Sequence, residues 1–353
     1  MKNIDFKTAR ILVTRTDRLG DVLLATPVLK KIKETYPEAK ISFLVQKQWM
    51  PILQYDLLKD GSQVELIEYQ PEMQASELAE IFKAKKFEVA IVLRDEKKIT
   101  KAVKRAKIAV RVGPYSSLRS FFAFNAGLLQ RRSLCKMHEA EYNLELLTKI
   151  GIPFQSQVLP TVRSWVSFSD HARQKIALEF KSAGYIALHP GSSGSSRYVS
   201  QSTLQALAQS LIAKGESVVI TGGPHEHALL KAFKTAVPAV TIFGGEEPRT
   251  LDELAALYER ASVVVAHGTG PLHLAAAVGA PTFGIFPPLF VLSETRWGAL
   301  SNSRYTWVPL SVQCPEKYRC RGAKCVYYDC MDRFQVDEAI AILVKMKRKG
   351  PHS

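Results

Sequence analysis

The residues most able to do chemistry crowd into one short stretch, RTDRLGDVLLATP, residues 15–27. Arg15, Asp17, Arg18 and Asp21 occupy a turn between an apolar strand-like run and a helix start. A carboxylate there can take a proton from an incoming hydroxyl, and guanidiniums there can hold phosphates or carboxylates in bidentate fashion. Asp21 follows Gly20 directly, where the helix would begin. Its residue type and position fit either a general base or a charge that caps a helix start. A helix N-terminal setting favours the ionised form, so a base at this position needs burial or substrate contact to keep its proton affinity. Arg15 and Arg18 fit acceptor contact, solvated surface charge, or pairing with Asp17.

A second set of candidates is rich in glycine rather than charge. HPGSSGSSR (189–197), TGGPHE (221–226) and HGTGPLH (267–273) each close an apolar strand-like run. Glycine turns at strand ends expose backbone N–H groups, and a following helix dipole favours an anion. Three such turns in one half of the chain point to a nucleotide diphosphate. No strand carries the G-x-G-x-x-G fingerprint and no Walker lysine motif is present, which argues against dinucleotide and ATPase chemistry. Four of the five cysteines, Cys314, Cys320, Cys325 and Cys330, fall close together without a C-x-x-C pair. That spacing is a poor match to zinc signatures, so reduced, packed thiols are the favoured reading over a structural metal. Cys135 reads as a small buried hydrophobe.

These residues need a scaffold. The 353 residues, 46% hydrophobic and 23% charged, have the balance of a globular protein of two domains. Strand and helix patterns alternate almost throughout, which predicts parallel α/β sheets. Strands are expected at ARILVTR, AKISFLVQ, VELIEY, FEVAIVL and IAVRVG, with helices between them. Thr26 before Pro27 reads as a hydroxyl cap with proline at the first helical position. MPILQYD and residues 138–150 read as further helices. The proline-bearing stretch 153–170 is the expected linker between domains 1–152 and 171–333, and a helix over 334–348 could cross back to the first domain. Ligands in such sheets bind beyond the carboxyl ends of the strands.

The net charge of +15 predicts an anionic partner: a phosphorylated substrate, a membrane face or nucleic acid. The densest basic segment, residues 96–113, reads as a helix with a cationic outer face entering a strand. It has no interleaved aromatics, which weakens a base-stacking role. No run approaches the roughly 20 apolar residues that span a bilayer. Asp5 before the first strand-like run argues against a signal peptide, so the chain is read as cytoplasmic.

The motifs RTDRLGDVLLATPVLKKIKETYP, HPGSSGSSR, TGGPHE and GTGPLHLAAAVGAPTFGIFPP, in this order, resemble those of glycosyltransferase family 9, the heptosyltransferases of lipopolysaccharide core synthesis. The resemblance runs nearly end to end. It implies a GT-B fold: two facing Rossmann-like domains with parallel sheets, the acceptor on the first and the nucleotide sugar on the second. It implies inverting transfer of a heptose-like sugar from an ADP-linked donor to a lipopolysaccharide-core or other anionic glycolipid acceptor, with no cofactor and no essential metal. A cytoplasmic enzyme in peripheral contact with the inner membrane face follows, with no role for nucleic acid.

Carried onto this chain, the resemblance makes Asp21 the general base and puts Arg15, Arg18 and Gly20 at the acceptor. Gly191, Ser192, Ser193, Gly222, Gly223, Glu226, Thr269, Gly270, Pro271 and His273 fall at the donor, and Arg197 matches the cation that neutralises the leaving phosphates. Two departures stand out. Tyr198-Val199 replace a frequent Trp-Pro, and Gly268 replaces a frequent Asp, for which His267 is a candidate substitute. These departures keep a non-catalytic nucleotide-sugar binder as an alternative, beside a nucleotide-sugar epimerase of the same fold.

Overall fold

The computed structural model describes residues 4–156, 162–192, 194 and 196–348. Ser193, part of the expected linker and the last five residues lie outside them. The chain forms two compact units, divided between Ser167 and Phe168.

The first unit runs β1 (Arg10–Thr14), α1 (Leu19–Leu23), α2 (Thr26–Thr35), β2 (Lys40–Gln46), β3 (Val64–Tyr69), α3 (Ala75–Ala84), β4 (Val89–Val92), α4 (Lys97–Arg105), β5 (Val110–Pro114), α5 (Leu118–Ala123), β6 (Ala126–Leu128) and α6 (Glu139–Glu145). Its six strands lie parallel in the order β3-β2-β1-β4-β5-β6. Strands buried on both faces need continuous apolar runs, and β4 is wholly buried along VAIV. α3 turns Leu78, Ala79 and Phe82 inward, and α4 turns Ile99, Ala102 and Val103 inward. These meet Leu12, Leu44 and Val92 of the sheet in one core.

The second unit runs α7 (Asp170–Glu179), β7 (Ile186–His189), α8 (Gln201–Ala213), β8 (Val218–Gly222), α9 (His227–Ala236), β9 (Thr241–Gly244), α10 (Leu251–Glu259), β10 (Val263–His267), α11 (Gly270–Ala277), β11 (Thr282–Ile285), α12 (Glu294–Trp297), β12 (Arg304–Trp307) and α13 (Val336–Arg348). The sheet order β12-β11-β10-β7-β8-β9 repeats the first topology. α13 packs on α8, its Leu343 buried in the core of this unit.

Two expectations are corrected. Thr26 is not a cap: the preceding turn is already helical, so Ala25 takes the cap position, and the Thr26 hydroxyl donates to the Leu23 carbonyl at 2.8 Å. The helix expected over 50–56 is a 3₁₀ segment, Lys47–Ile52, with Pro51 inside it. Proline removes an N–H and disfavours a regular helix around it. Residues 115–136, to which no element is assigned from the sequence, hold α5 and β6.

In each sheet the chain direction of winding reverses beside the first strand of the unit, between β1 and β4 and between β7 and β10. A crevice forms at the carboxyl edge of such a crossover.

Candidate active site at two strand crossovers

At the first crossover, the residues after β1 form a buried ionic cluster. Arg15 is 3% exposed. Its Nε donates to Asp17 Oδ1 at 2.7 Å, its Nη2 donates to Asp21 Oδ1, and its Nη1 donates to Glu139 Oε1 at 3.1 Å. Asp17 also pairs with Arg94, beyond the end of β4, at 3.3 Å. Glu139 is held a second time by Arg132 Nη1 at 2.5 Å. Asn143, one helical turn beyond Glu139, donates to the Leu24 carbonyl at 3.1 Å and so ties α6 to the end of α1. Glu139, Asn143, Arg132 and Arg94 were not singled out from the sequence. The polar pair Glu139 and Asn143, four apart on an inward helix face, was the available signal.

Asp21 lies in α1 and is 15% exposed. Burial pushes its carboxyl up to about 6; Arg15 opposes the shift, and Asp17 and Glu139 add to it. Burial by itself would lower the Arg15 guanidinium, but the Asp21, Asp17 and Glu139 carboxylates outweigh it and keep the group charged. The result is an oriented carboxylate that accepts a proton near neutral pH. Every group of the Arg15 fork points at a protein oxygen, so Arg15 positions Asp21. Arg18 caps α1 through its extended backbone and is exposed; Gly20 is buried within α1.

At the second crossover histidines, glycines and one carboxylate take the place of the ion cluster. His189 closes β7, and its Nδ1 lies 3.0 Å from Thr221 Oγ1, which lies 2.9 Å from the Tyr258 hydroxyl. Burial holds the His189 imidazole below its ordinary value, against the pull of Glu226, whose Oε2 is 3.7 Å from Nε2. Glu226 also accepts from the Gly223 N–H at 2.7 Å. Its carboxylate lies where a Cβ on Gly191 would stand, so a side chain at 191 would displace it. The structure thus brings Gly191, Gly223 and Glu226 together, Gly222 lying at the end of β8. Ser192 follows Gly191 and is half-buried.

At the end of β10, His267 is buried and pushed down to about 4 by burial and then by His189, with the Gly191 backbone partly offsetting. Its ring nitrogens have no side-chain hydrogen-bond partner among the described residues, and neither has the Tyr198 hydroxyl. The Tyr198 ring meets the His267 ring edge-on at 5.5 Å. Thr269 caps α11, whose first turn is Gly270, Pro271, Leu272 and buried His273. Gly268 owes its identity to packing. It donates to the Ile285 carbonyl at 3.0 Å, beside Phe286, and the Phe286 ring fills the space that any side chain at 268 would need. Arg197 turns towards the cysteine-rich segment: its Nε donates to the Tyr328 carbonyl at 3.1 Å and its guanidinium stacks 3.8 Å over the Tyr328 ring. Cys314, Cys320, Cys325 and Cys330 line one cavity with Arg197 and Pro287. All four are free thiols, and burial pushes those of Cys314 and Cys330 up, Cys330 to about 11.

The sequence profile of glycosyltransferase family 9 (heptosyltransferase) matches residues 76–325. A lipopolysaccharide heptosyltransferase 3 of Escherichia coli is 26% identical over 282 residues, 76% of this chain and 80% of that protein. Among solved structures, the glycosyl transferase family 9 protein of Veillonella parvula aligns over 98% of this chain and 99% of its own, with a TM-score of 0.76 at 16% identity. The E. coli heptosyltransferase WaaC with ADP aligns over 96% and 99%, with a TM-score of 0.69 at 17% identity. The structural likenesses show the GT-B fold, and the profile match spans well over half the chain. This chain is a glycosyltransferase, a member of glycosyltransferase family 9, the heptosyltransferases.

Proposed function

We propose that the enzyme moves a heptose-like sugar from an ADP-linked donor to a lipopolysaccharide-core or other anionic glycolipid acceptor, with inversion at the anomeric carbon. The observation that carries this reading is the Asp21 carboxylate, buried, raised to about 6 and held by Arg15. The profile match begins at residue 76, so the role of Asp21 rests on the geometry of its own turn.

In this reading Asp21 takes the proton of the acceptor hydroxyl as that oxygen attacks the anomeric carbon. The bond from the anomeric carbon to the β-phosphate oxygen breaks, and ADP leaves with the electron pair. The glycine turns of the second unit bind the diphosphate through backbone N–H groups. Neutral His189 and His267 offer hydrogen bonds there without adding charge. Support for ADP comes from the E. coli WaaC complex. The +15 net charge suits an anionic acceptor and work at the inner membrane face. Among the described residues no helix is long and apolar enough to cross a membrane.

A second reading, a nucleotide-sugar binder without turnover, is favoured by the Phe286 ring at Gly268 and by the engagement of Arg197 with Tyr328. One experiment separates the two. The protein and its Asp21→Asn variant are incubated with ADP-heptose and a delipidated core acceptor, and ADP release, acceptor mass and product anomer are read. Transfer with inversion by the wild type alone is expected. Tight donor binding with the donor left intact would select the binder instead.

A further inference from the structure

The first unit exposes apolar side chains in a way its core does not explain. α5 leaves Leu118 81%, Phe121 58% and Phe122 69% exposed, and Leu129, just past β6, is 68% exposed. A monomeric protein seldom clusters large apolar groups on its surface without a use for them.

The patch is built rather than loose. Ser117 caps α5, accepting from the Ser120 N–H at 3.2 Å. Asp95, before α4, accepts from Ser117 Oγ at 2.6 Å, from Arg119 Nη2 at 3.0 Å and from Thr100 Oγ1 at 2.8 Å, and so pins the starts of α4 and α5 to each other. Phe121 leans on Tyr115 at 5.2 Å and on Phe122 at 5.6 Å. Beside this platform α4 turns Lys97, Lys101, Lys104 and Arg105 to the exterior, and Arg131 and Lys136 stand exposed beyond β6.

We propose that this outward face of α4, α5 and the segment after β6 docks on an anionic lipid bilayer, with Leu118, Phe121 and Phe122 entering the headgroup region and the α4 cations pairing with lipid phosphates. The inference rests on the glycolipid reading above and names the surface that would serve it. Apolar groups rimmed by cations of one sign are the pattern of interfacial binding. A second copy of this chain fits the face poorly, because a two-fold contact would set the same cations against one another. Topology adds a reason for the place. The strands are parallel, so the starts of α4 and α5 and residue 129 share the carboxyl edge that also carries Asp21. A lipid-anchored acceptor docked at that edge presents its headgroup on the side of the base.

The test uses the full chain and flotation with phosphatidylcholine vesicles, with and without phosphatidylglycerol. The wild type is expected to float with the anionic vesicles and to be released by high salt. Phe121→Ser with Phe122→Ser should weaken binding about tenfold or more through lost apolar contact. Lys101→Gln with Lys104→Gln should weaken it roughly fivefold per cation and reduce the preference for anionic lipid. Transfer to a soluble, delipidated acceptor should stay unchanged in both variants. Wild type that fails to float overturns the proposal, as does a phenylalanine variant that floats like wild type, or a wild-type dimer that the same variant converts to monomer. If flotation behaves as expected while no variant or wild type transfers sugar, the transfer reading fails and the docking surface stands.

Discussion

The two strand crossovers share a topology and differ in what burial does there. After β1 the chain buries Arg15, Asp17, Asp21 and Glu139. After β7 and β10 it buries Gly191 and three histidines, His189, His267 and His273. Desolvation acts at both and favours the neutral form of each group. For Asp21 that means a raised proton affinity, and for His189 and His267 a lowered one. One edge therefore becomes a place to put a proton, and the other a place of uncharged imidazoles and glycine turns beside the Glu226 carboxylate. The fold supplies two equivalent crevices, and the few residues after each strand give them different chemistry.

The comparison breaks most sharply at Asp21. Asp21→Asn keeps the shape and removes the base, so kcat/KM should fall by about 10²–10⁴-fold. The folded state favours the neutral carboxyl, so the substitution should leave thermal stability unchanged or slightly higher at pH 7. A large loss of stability alongside lost transfer would recast Asp21 as structural.

Arg15 should show the reverse pattern. Arg15→Gln leaves Asp17, Asp21 and Glu139 without their shared cation. Removing one partner of a buried ion group costs about 3–5 kcal/mol, which a urea titration at pH 7 reads directly. Stability within 1 kcal/mol of wild type would mean that the carboxylates find water or protonate at little cost, roughly the limit set for exposed ion pairs.

The second crossover breaks sterically. Gly268→Asp drives a side chain into the Phe286 ring, and overpacking of this kind costs about 1–3 kcal/mol. Combining it with Phe286→Ala should cost less than the sum of the two single losses, because the ring is what the new side chain strikes. Strict additivity of the two changes in a thermal melt would show that Phe286 is not the obstacle.

How far the sequence foretold these crevices follows from which interactions are local. The alternating strands and helices were legible, since buried parallel strands announce themselves as apolar runs. The charged turn after β1 was legible because two carboxylates and two guanidiniums have no reason to sit together in a plain turn. Its completion was not, because Glu139 reaches Arg15 across 124 residues. Phe286 escaped for the same reason: only the pairing of β10 with β11, Ala266 opposite Gly284, brings it beside Gly268. α5 escaped because LRSFFA exposes three large apolar side chains, and a reading that turns apolar residues inward finds no amphipathic period there. Its exposure is the sign that something other than the core accounts for those residues.

The gentlest probe is pH, and it acts on the two edges in opposite senses. Asp21 works as a base only when ionised, so kcat/KM should fall as pH drops through about 6, near tenfold for each further unit. The stability term has the other sign. Its folded pKa lies above the ordinary 3.8, so the folded state binds this proton more tightly than the unfolded chain, and the favourable contribution present at low pH is lost as pH rises from about 4 to about 6. His267, pushed down to about 4 from 6.5, contributes stability that is complete above 6.5 and is lost as pH falls towards 4. Between pH 6 and 4 the two edges therefore offset one another in wild type. Asp21→Asn removes one side of that balance, so the variant should lose stability on acidification more steeply than wild type. Denaturant midpoints taken at pH 7, 6, 5 and 4 for both proteins make the comparison, and parallel curves would show that burial does not raise the Asp21 carboxyl.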